Sequence, residues 1–133
     1  QEILRLCREY GECRVEVERM EEARRVKNAL ESVCSMARQR LDISDPALLL
    51  ALLDACEVTR DEGMLQEVLD VVGRNLDRLA VSVESVKLLA CCYYYVEEEE
   101  CAERARRMLE ELRKLGMGEE ELADAETILE ELS

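Results

Sequence analysis

The chain has 133 residues, of which 48% are hydrophobic and 38% are charged, and its formal net charge at pH 7 is −14. This length suits one domain, and the hydrophobic content can bury a core, which excludes an intrinsically disordered chain. No stretch approaches the roughly 18 apolar residues of a membrane span, and no signal-peptide pattern opens the chain. We therefore expect a protein of an intracellular, reducing compartment, most simply the cytoplasm, with no membrane partner.

Seven cysteines and the lack of histidine decide which chemistry is open to the chain. The cysteine number is odd and most of them lie in apolar stretches, so we predict free thiols in the core and no disulfide framework. Without histidine, a Ser-His-Asp or Cys-His catalytic site cannot form. The thiols also lack the two close pairs of a zinc site. We predict no enzyme activity, no cofactor and no metal.

Hydrophobic periodicity predicts six to seven helices. The first covers residues 2–10 and is interrupted by Gly11, and the second places apolar residues at three- and four-residue steps over 15–41. Asp45 and the proline after it read as N-cap and first helical residue of a helix over 47–59. That third helix is apolar nearly all round, which is typical of a helix buried on several sides.

The second half of the chain continues the same pattern. After a turn over residues 60–63, an amphipathic helix reaches Leu79 and includes Gly73, which we expect at a close helix contact. Ser82 is the predicted N-cap of the next helix, which runs to Val96. Residues 97–100 either turn or continue this helix, and no glycine or proline decides between the two.

Two further helices close the chain. An apolar stripe over residues 101–115 is predicted to end at Gly116 in the C′ position, because glycine adopts a left-handed conformation without a Cβ penalty. The last helix covers residues 119–132 and carries three acids in its first turn, where the helix dipole favours them.

An internal repeat appears when residues 45–81 are laid on 82–118 with an offset of 37, since capping residues and leucine positions coincide. Each unit is one helical hairpin, which cannot bury its apolar face without neighbours. We therefore predict a single all-α domain, a right-handed stack of about three antiparallel helical hairpins with six to seven helices, or short α-solenoid. Its parts are hairpins at about 1–44, 45–81 and 82–118 and a capping helix at 119–133. Whether the sequence is a fragment of a longer chain stays open.

The leucine-rich stretch over residues 45–56 resembles the first helix of an armadillo or HEAT unit, and the 37-residue period is similar to that of heptatricopeptide-type arrays. The resemblance covers residues 45–118 and rests on leucine pattern and period. It implies an α-solenoid that binds a macromolecular partner, protein in the first case and organellar RNA in the second.

The negative charge is concentrated toward the C-terminus. Residues 1–44 are neutral in sum, residues 45–96 carry a net −5, and residues 97–133 carry five basic against fourteen acidic groups, a net −9. This gradient disfavours nucleic acid and favours a basic protein or peptide partner at the C-terminal repeat. Simple solubility of an acidic protein would produce the same charge, and self-association stays open.

Three consecutive tyrosines precede the acidic run. Successive helical residues diverge by about 100°, so Tyr93 and Tyr95 are predicted in the core and Tyr94 on the surface. An exposed tyrosine is a common interface anchor. The candidate partner-binding residues are Lys87, Tyr94, Glu97, Glu98, Glu99, Glu100 and Glu103.

Two alternatives to a protein-binding scaffold remain. An RNA-associated repeat would use the basic residues of the first half, namely Arg14, Arg24, Arg25, Lys27, Arg38 and Arg40. An engineered helical protein would explain the missing histidine and tryptophan, whereas arginine outnumbering lysine 15 to 3 favours a GC-rich coding genome.

Overall fold

The structure, a computed structural model, describes residues 2–15 and 20–132. Within these residues the chain is all-α, with seven α-helices and no strand, which confirms the predicted fold class. The right-handed stacking of hairpins stays a prediction. No helix in the described ranges is long and apolar enough to cross a bilayer. The helices are α1 (Glu2–Val15), α2 (Met20–Arg38), α3 (Pro46–Thr59), α4 (Glu62–Arg74), α5 (Val83–Val96), α6 (Glu99–Lys114) and α7 (Glu119–Leu132).

The predicted break at Gly11 is wrong, because α1 continues through it to Val15. Gly11 is exposed, and a Cβ at this position would meet no neighbouring atom. A glycine inside a helix costs about 1 kcal/mol relative to alanine. Burial of an apolar face outweighs that cost, since three side chains of α1 are almost fully buried: Ile3, Leu6 and Cys13.

The second helix is shorter than its apolar pattern predicts. Val15 belongs to α1, Val17 lies outside the described residues, and α2 ends at Arg38. The N–H of Arg40 donates to the carbonyl of Ala37 over 2.9 Å, so the chain leaves the helix in a turn before Leu41.

Aspartate caps begin both central helices. The N–H of Leu48 donates to Oδ1 of Asp45 over 3.1 Å, which confirms the predicted N-cap of α3. The N–H of Met64 donates in the same way to Oδ1 of Asp61 over 3.0 Å. This second cap starts α4 at Glu62, so the predicted turn over 60–63 is shorter than expected.

The predicted helix to Leu79 is wrong at its end, because α4 stops at Arg74 and a 3-10 turn follows at Leu76–Arg78. The side-chain amide of Asn75 donates to the carbonyl of Val71 over 2.7 Å and occupies one of the last helical acceptors. Gly73 is exposed and a Cβ there would meet no neighbouring atom, so the predicted close helix contact is also wrong.

The last three helices have the predicted boundary signals. Ser82 caps α5 by accepting a hydrogen bond from the N–H of Ser85 over 3.1 Å. Gly116 has φ +85° and closes α6: its N–H donates to Arg113 O, and the N–H of Met117 donates to Leu112 O. This pair of bonds is a Schellman motif, and it confirms the predicted C′ glycine.

The chain forms two compact units, with one boundary between α2 and α3, one within α3 and one within α4. The first comprises residues 1–42 and 51–68, and in it α1 packs on α2. The second comprises residues 43–50 and 69–133, and in it α5 packs on both α6 and α7, which also pack on each other. These units do not coincide with the predicted hairpins, because two of their boundaries lie inside helices. The single domain built from hairpins therefore stays a prediction.

Each unit has its own buried apolar residues. In the first they include Leu30, Leu52, Met64 and Val68, and in the second they include Val72, Val86, Leu88, Leu89, Met108 and Leu122. Burying a side chain of this size contributes about 1.5–3 kcal/mol, so these residues supply most of the driving force for packing.

Candidate interaction site

The open question at residues 97–100 has a structural answer: the chain turns at Glu97 and Glu98, and α6 begins at Glu99. Glu97 has φ +53°, and its N–H donates to the carbonyl of Tyr93 over 2.8 Å. A connection of two residues between packed helices makes an antiparallel hairpin. The turn therefore places the end of α5 beside the first turn of α6.

The acidic turn, which we define as Glu97, Glu98, Glu99 and Glu100, is exposed at all four positions. Tyr94 lies three residues before it and is 66% exposed, as predicted. The ring centroids of Tyr94 and Tyr95 are 5.2 Å apart at an interplanar angle of 80°, which is an edge-to-face arrangement. The structure thus brings five of the seven candidate residues to one end of the hairpin.

The neighbouring tyrosines differ from their prediction. Tyr93 and Tyr95 are half-buried, not fully in the core. Both lie in the last turn of α5, next to the exposed residues Val96 and Glu97. A residue on the apolar side of the helix is therefore still partly accessible to solvent there. All three rings therefore contribute some accessible aromatic surface near the acidic turn.

Lys87 lies on the same helix but apart from the turn. Seven residues separate it from Tyr94, which is about 10 Å along the axis. Its side chain is 29% exposed, and Nζ lies 3.9 Å from Oδ2 of Asp124 on α7. Lys87 therefore faces a carboxylate of its own unit and is not one of the groups gathered at the turn.

Glu103 and Glu100 line a polar depression of about 360 Å³ in the second unit. We call it the α6 depression; it is lined by Leu76, Asp77, Glu100, Glu103, Arg104 and Arg107. Oε2 of Glu103 lies 3.9 Å from the Arg107 guanidinium, a distance at which an exposed pair contributes little. The acids of the candidate set thus occur in two settings, an open turn and a concave surface.

Sequence reasoning missed the cationic side of this depression. Arg104 and Arg107 were not among the candidate residues, although their i, i+3 spacing places them on one side of α6. Leu76 and Asp77 had no signal at all, because the pattern predicted an unbroken helix where the 3-10 turn occurs.

Arginines of α6 differ in their partners. Arg106 lies 3.6 Å from Glu99, and Arg113 lies 2.7 Å from Glu126 on α7. For Arg104, which is half-buried, Nε is shielded from solvent and no protein atom among the described residues accepts its hydrogen bond. A buried donor without an acceptor is rare because its desolvation costs about 1–3 kcal/mol.

The buried cysteines contribute to the packing of the core. None of the seven forms a disulfide, and five of them are buried. Burial raises the pKa of Cys34 to about 11 and that of Cys56 to about 12, and it also raises the pKa of Cys92. Thiols with such pKa values are protonated at neutral pH and are poor nucleophiles. Within the described residues no group of three or more potential ligands could hold a metal ion.

One basic candidate for RNA contact is engaged in the first unit. Arg38 forms a two-pronged hydrogen bond to Glu67, from Nε over 3.0 Å and from Nη2 over 2.7 Å, and it lies 3.5 Å from Asp61. This carboxylate pairing raises the pKa of Arg38 and lowers the pKa of Glu67, the side-chain hydrogen bond being the main cause of both shifts. A guanidinium held in this way is not available to a phosphate without losing its partner.

Comparison with protein-family models, curated proteins and solved structures finds no match for this chain.

Proposed function

We propose that this chain is a non-enzymatic helical-repeat scaffold of the cytoplasm that binds a basic protein or peptide through the acidic turn. One observation carries the proposal: the most exposed tyrosine, Tyr94, stands at the same helix end as four consecutive exposed glutamates. An arginine of a partner would find a ring face and carboxylates within the reach of one side chain.

The energetics of such a contact favour a basic partner. An arginine over an aromatic ring contributes about 0.5–1 kcal/mol at an exposed site. Single exposed ion pairs contribute about 0–1 kcal/mol, so the carboxylates act mainly together, by steering a cation toward the turn. The net −9 of residues 97–133 extends this attraction over the whole C-terminal segment.

The repeat part of the proposal has support from one ion pair. Lys87 and Asp124 are 37 residues apart, the offset of the internal sequence repeat, and their side chains meet at 3.9 Å. Helices α5 and α7 run in the same direction, because each is joined to α6 by a short connection. Equivalent positions of successive repeat units lie side by side in a solenoid, and a contact between residues 37 apart is what a repeat of this offset would give.

The two families that the sequence resembles bind different partners, and the negative net charge of this chain favours a protein partner over RNA. Armadillo and HEAT units bind proteins, whereas an RNA-binding array requires a basic surface. Retention of single-stranded RNA on a filter at low salt would contradict our assignment.

The proposal is tested with a fluorescently labelled arginine-rich peptide and fluorescence anisotropy. Replacing Glu98 and Glu99 by Gln should weaken binding severalfold, whereas the same change at Glu119 and Glu120 should weaken it much less. The control pair removes the same charge from exposed positions at the start of α7. Equal losses from both variants would show attraction to net charge and no site at the turn.

Tyr94→Ala tests the aromatic contact. Because the ring is 66% exposed, we expect weaker peptide binding with little change in melting temperature. A large drop in melting temperature would place the ring in a structural role. Added salt should slow association, since exposed charges are screened beyond about 10 Å at 0.1 M.

A further inference from the structure

Arg104 is half-buried on α6, and with Arg107 it lines the α6 depression. The depression beside it is concave, measures about 360 Å³ and falls in the size range of small-ligand sites. An anionic group placed there would accept hydrogen bonds from the side chains of Arg104 and Arg107, which both line it.

The other lining groups decide which anion fits. Three carboxylates, Asp77, Glu100 and Glu103, share the α6 depression with the two guanidiniums of Arg104 and Arg107. The lining therefore has more negative than positive groups, which repels a free phosphate dianion. A single carboxylate accompanied by its own positive charge satisfies both kinds of lining group.

One chemical class has this pair of charges close together: a C-terminal arginine or lysine residue, with its α-carboxylate and cationic side chain. Glu100 and Arg104 are one helical turn apart, which places their Cβ atoms about 5–6 Å from each other. One residue can therefore span both, with the carboxylate at the Arg104 guanidinium and the basic side chain at Glu100, Glu103 or Asp77.

We infer that the α6 depression is a subsite for the C-terminal basic residue of a peptide or protein, with Arg104 donating hydrogen bonds to its free carboxylate. This inference rests on the proposed binding of a basic partner and names the part of that partner that is recognised. The aliphatic side chain of Leu76 contacts the apolar stem of the bound residue, and Arg107 adds a second donor for the carboxylate.

The experiment compares two forms of one short peptide that ends in arginine, one with a free C-terminal carboxylate and one with a carboxamide. Binding to the full chain is followed by ¹⁵N–¹H NMR titration. We expect the free acid to bind about tenfold more tightly than the amide, the loss typical of a charge-assisted hydrogen bond. The backbone signals of Asp77 and Arg104 should shift with the free acid.

Two arginine variants of α6 test whether the preference for the free-acid peptide depends on the side chain of Arg104. Arg104→Met should abolish the preference for the free acid, and Arg113→Met should keep it, since Arg113 pairs with Glu126 and does not line the depression. Thermal unfolding checks that both variants fold.

Three outcomes would overturn the inference. Equal binding of acid and amide, still sensitive to Glu98→Gln and Glu99→Gln, removes the carboxylate subsite and leaves the proposed function standing. A preference that survives Arg104→Met also removes the subsite. Absence of binding by either peptide removes the subsite and the proposed function together.

Discussion

Gly11→Ala tests the continuity of α1, the feature in which the structure departs most from the sequence pattern. Gly11 is the tenth of the fourteen residues of α1 and therefore lies inside the helix. A Cβ at this position meets no neighbouring atom, so alanine adds neither a clash nor buried area. What remains is helix propensity, which favours alanine by about 0.8–1.0 kcal/mol. The free energy of unfolding should rise by about 1 kcal/mol.

The sign of the change distinguishes the two descriptions of this segment. If the helix ended at Gly11, the glycine would adopt the left-handed conformation of a C′ residue, and alanine would be destabilising there. Gly116 supplies the internal comparison, because its φ is +85° and alanine should lower stability by about 1–2 kcal/mol.

The assay is urea denaturation followed by circular dichroism at 222 nm, with thermal melting as a second measure. For a chain of this size a gain of 1 kcal/mol corresponds to a rise of about 3–5 °C in melting temperature. A decrease in stability for Gly11→Ala, similar to that of Gly116→Ala, would refute a continuous α1.

Three further predictions concern the caps, the ion pair and the thiols. Ser82→Ala should lower the free energy of unfolding by about 1 kcal/mol in urea titrations, because the α5 cap is lost; an unchanged midpoint would contradict this. The pKa of Glu67 should lie below its ordinary value by NMR titration and return to it in Arg38→Met. The stabilisation from this pair is therefore present above the ordinary pKa of glutamate and is lost as the pH falls through the lowered pKa. Burial raises the pKa of Cys56 to about 12, so stability should fall as the pH rises above the ordinary thiol pKa toward 12. Rapid labelling of Cys56 by a thiol reagent in the native protein at pH 8 would contradict its burial.

The two proposals divide the partner between two surfaces of the second unit. In the proposed function the acidic turn would attract and hold exposed cationic side chains, which would mainly affect the association rate. As inferred above, the α6 depression would recognise a chain end through a paired carboxylate and cation, which would affect dissociation and specificity. Glu100 belongs to both surfaces, so its replacement by Gln should weaken the two contacts together.

Much of the secondary structure follows from local sequence. Asp45, Ser82 and Gly116 act on backbone groups a few residues away, so a cap can be predicted without knowing what the helix packs against. The exposure of Tyr94 follows in the same way from helical periodicity on α5.

Tertiary structure decided the remaining features, because they depend on groups distant in sequence. Burial of one face carries α1 through Gly11 against local propensity, and the 3-10 turn after Arg74 supplies Asp77 to the α6 depression. The α6 depression is the clearest case, since it joins Leu76 and Asp77 to charged residues of α6 that lie more than twenty positions later in the sequence. Sequence alone determined that this chain is helical and acidic at its C-terminal end; the packing of α6 decided where a partner's charge would be recognised.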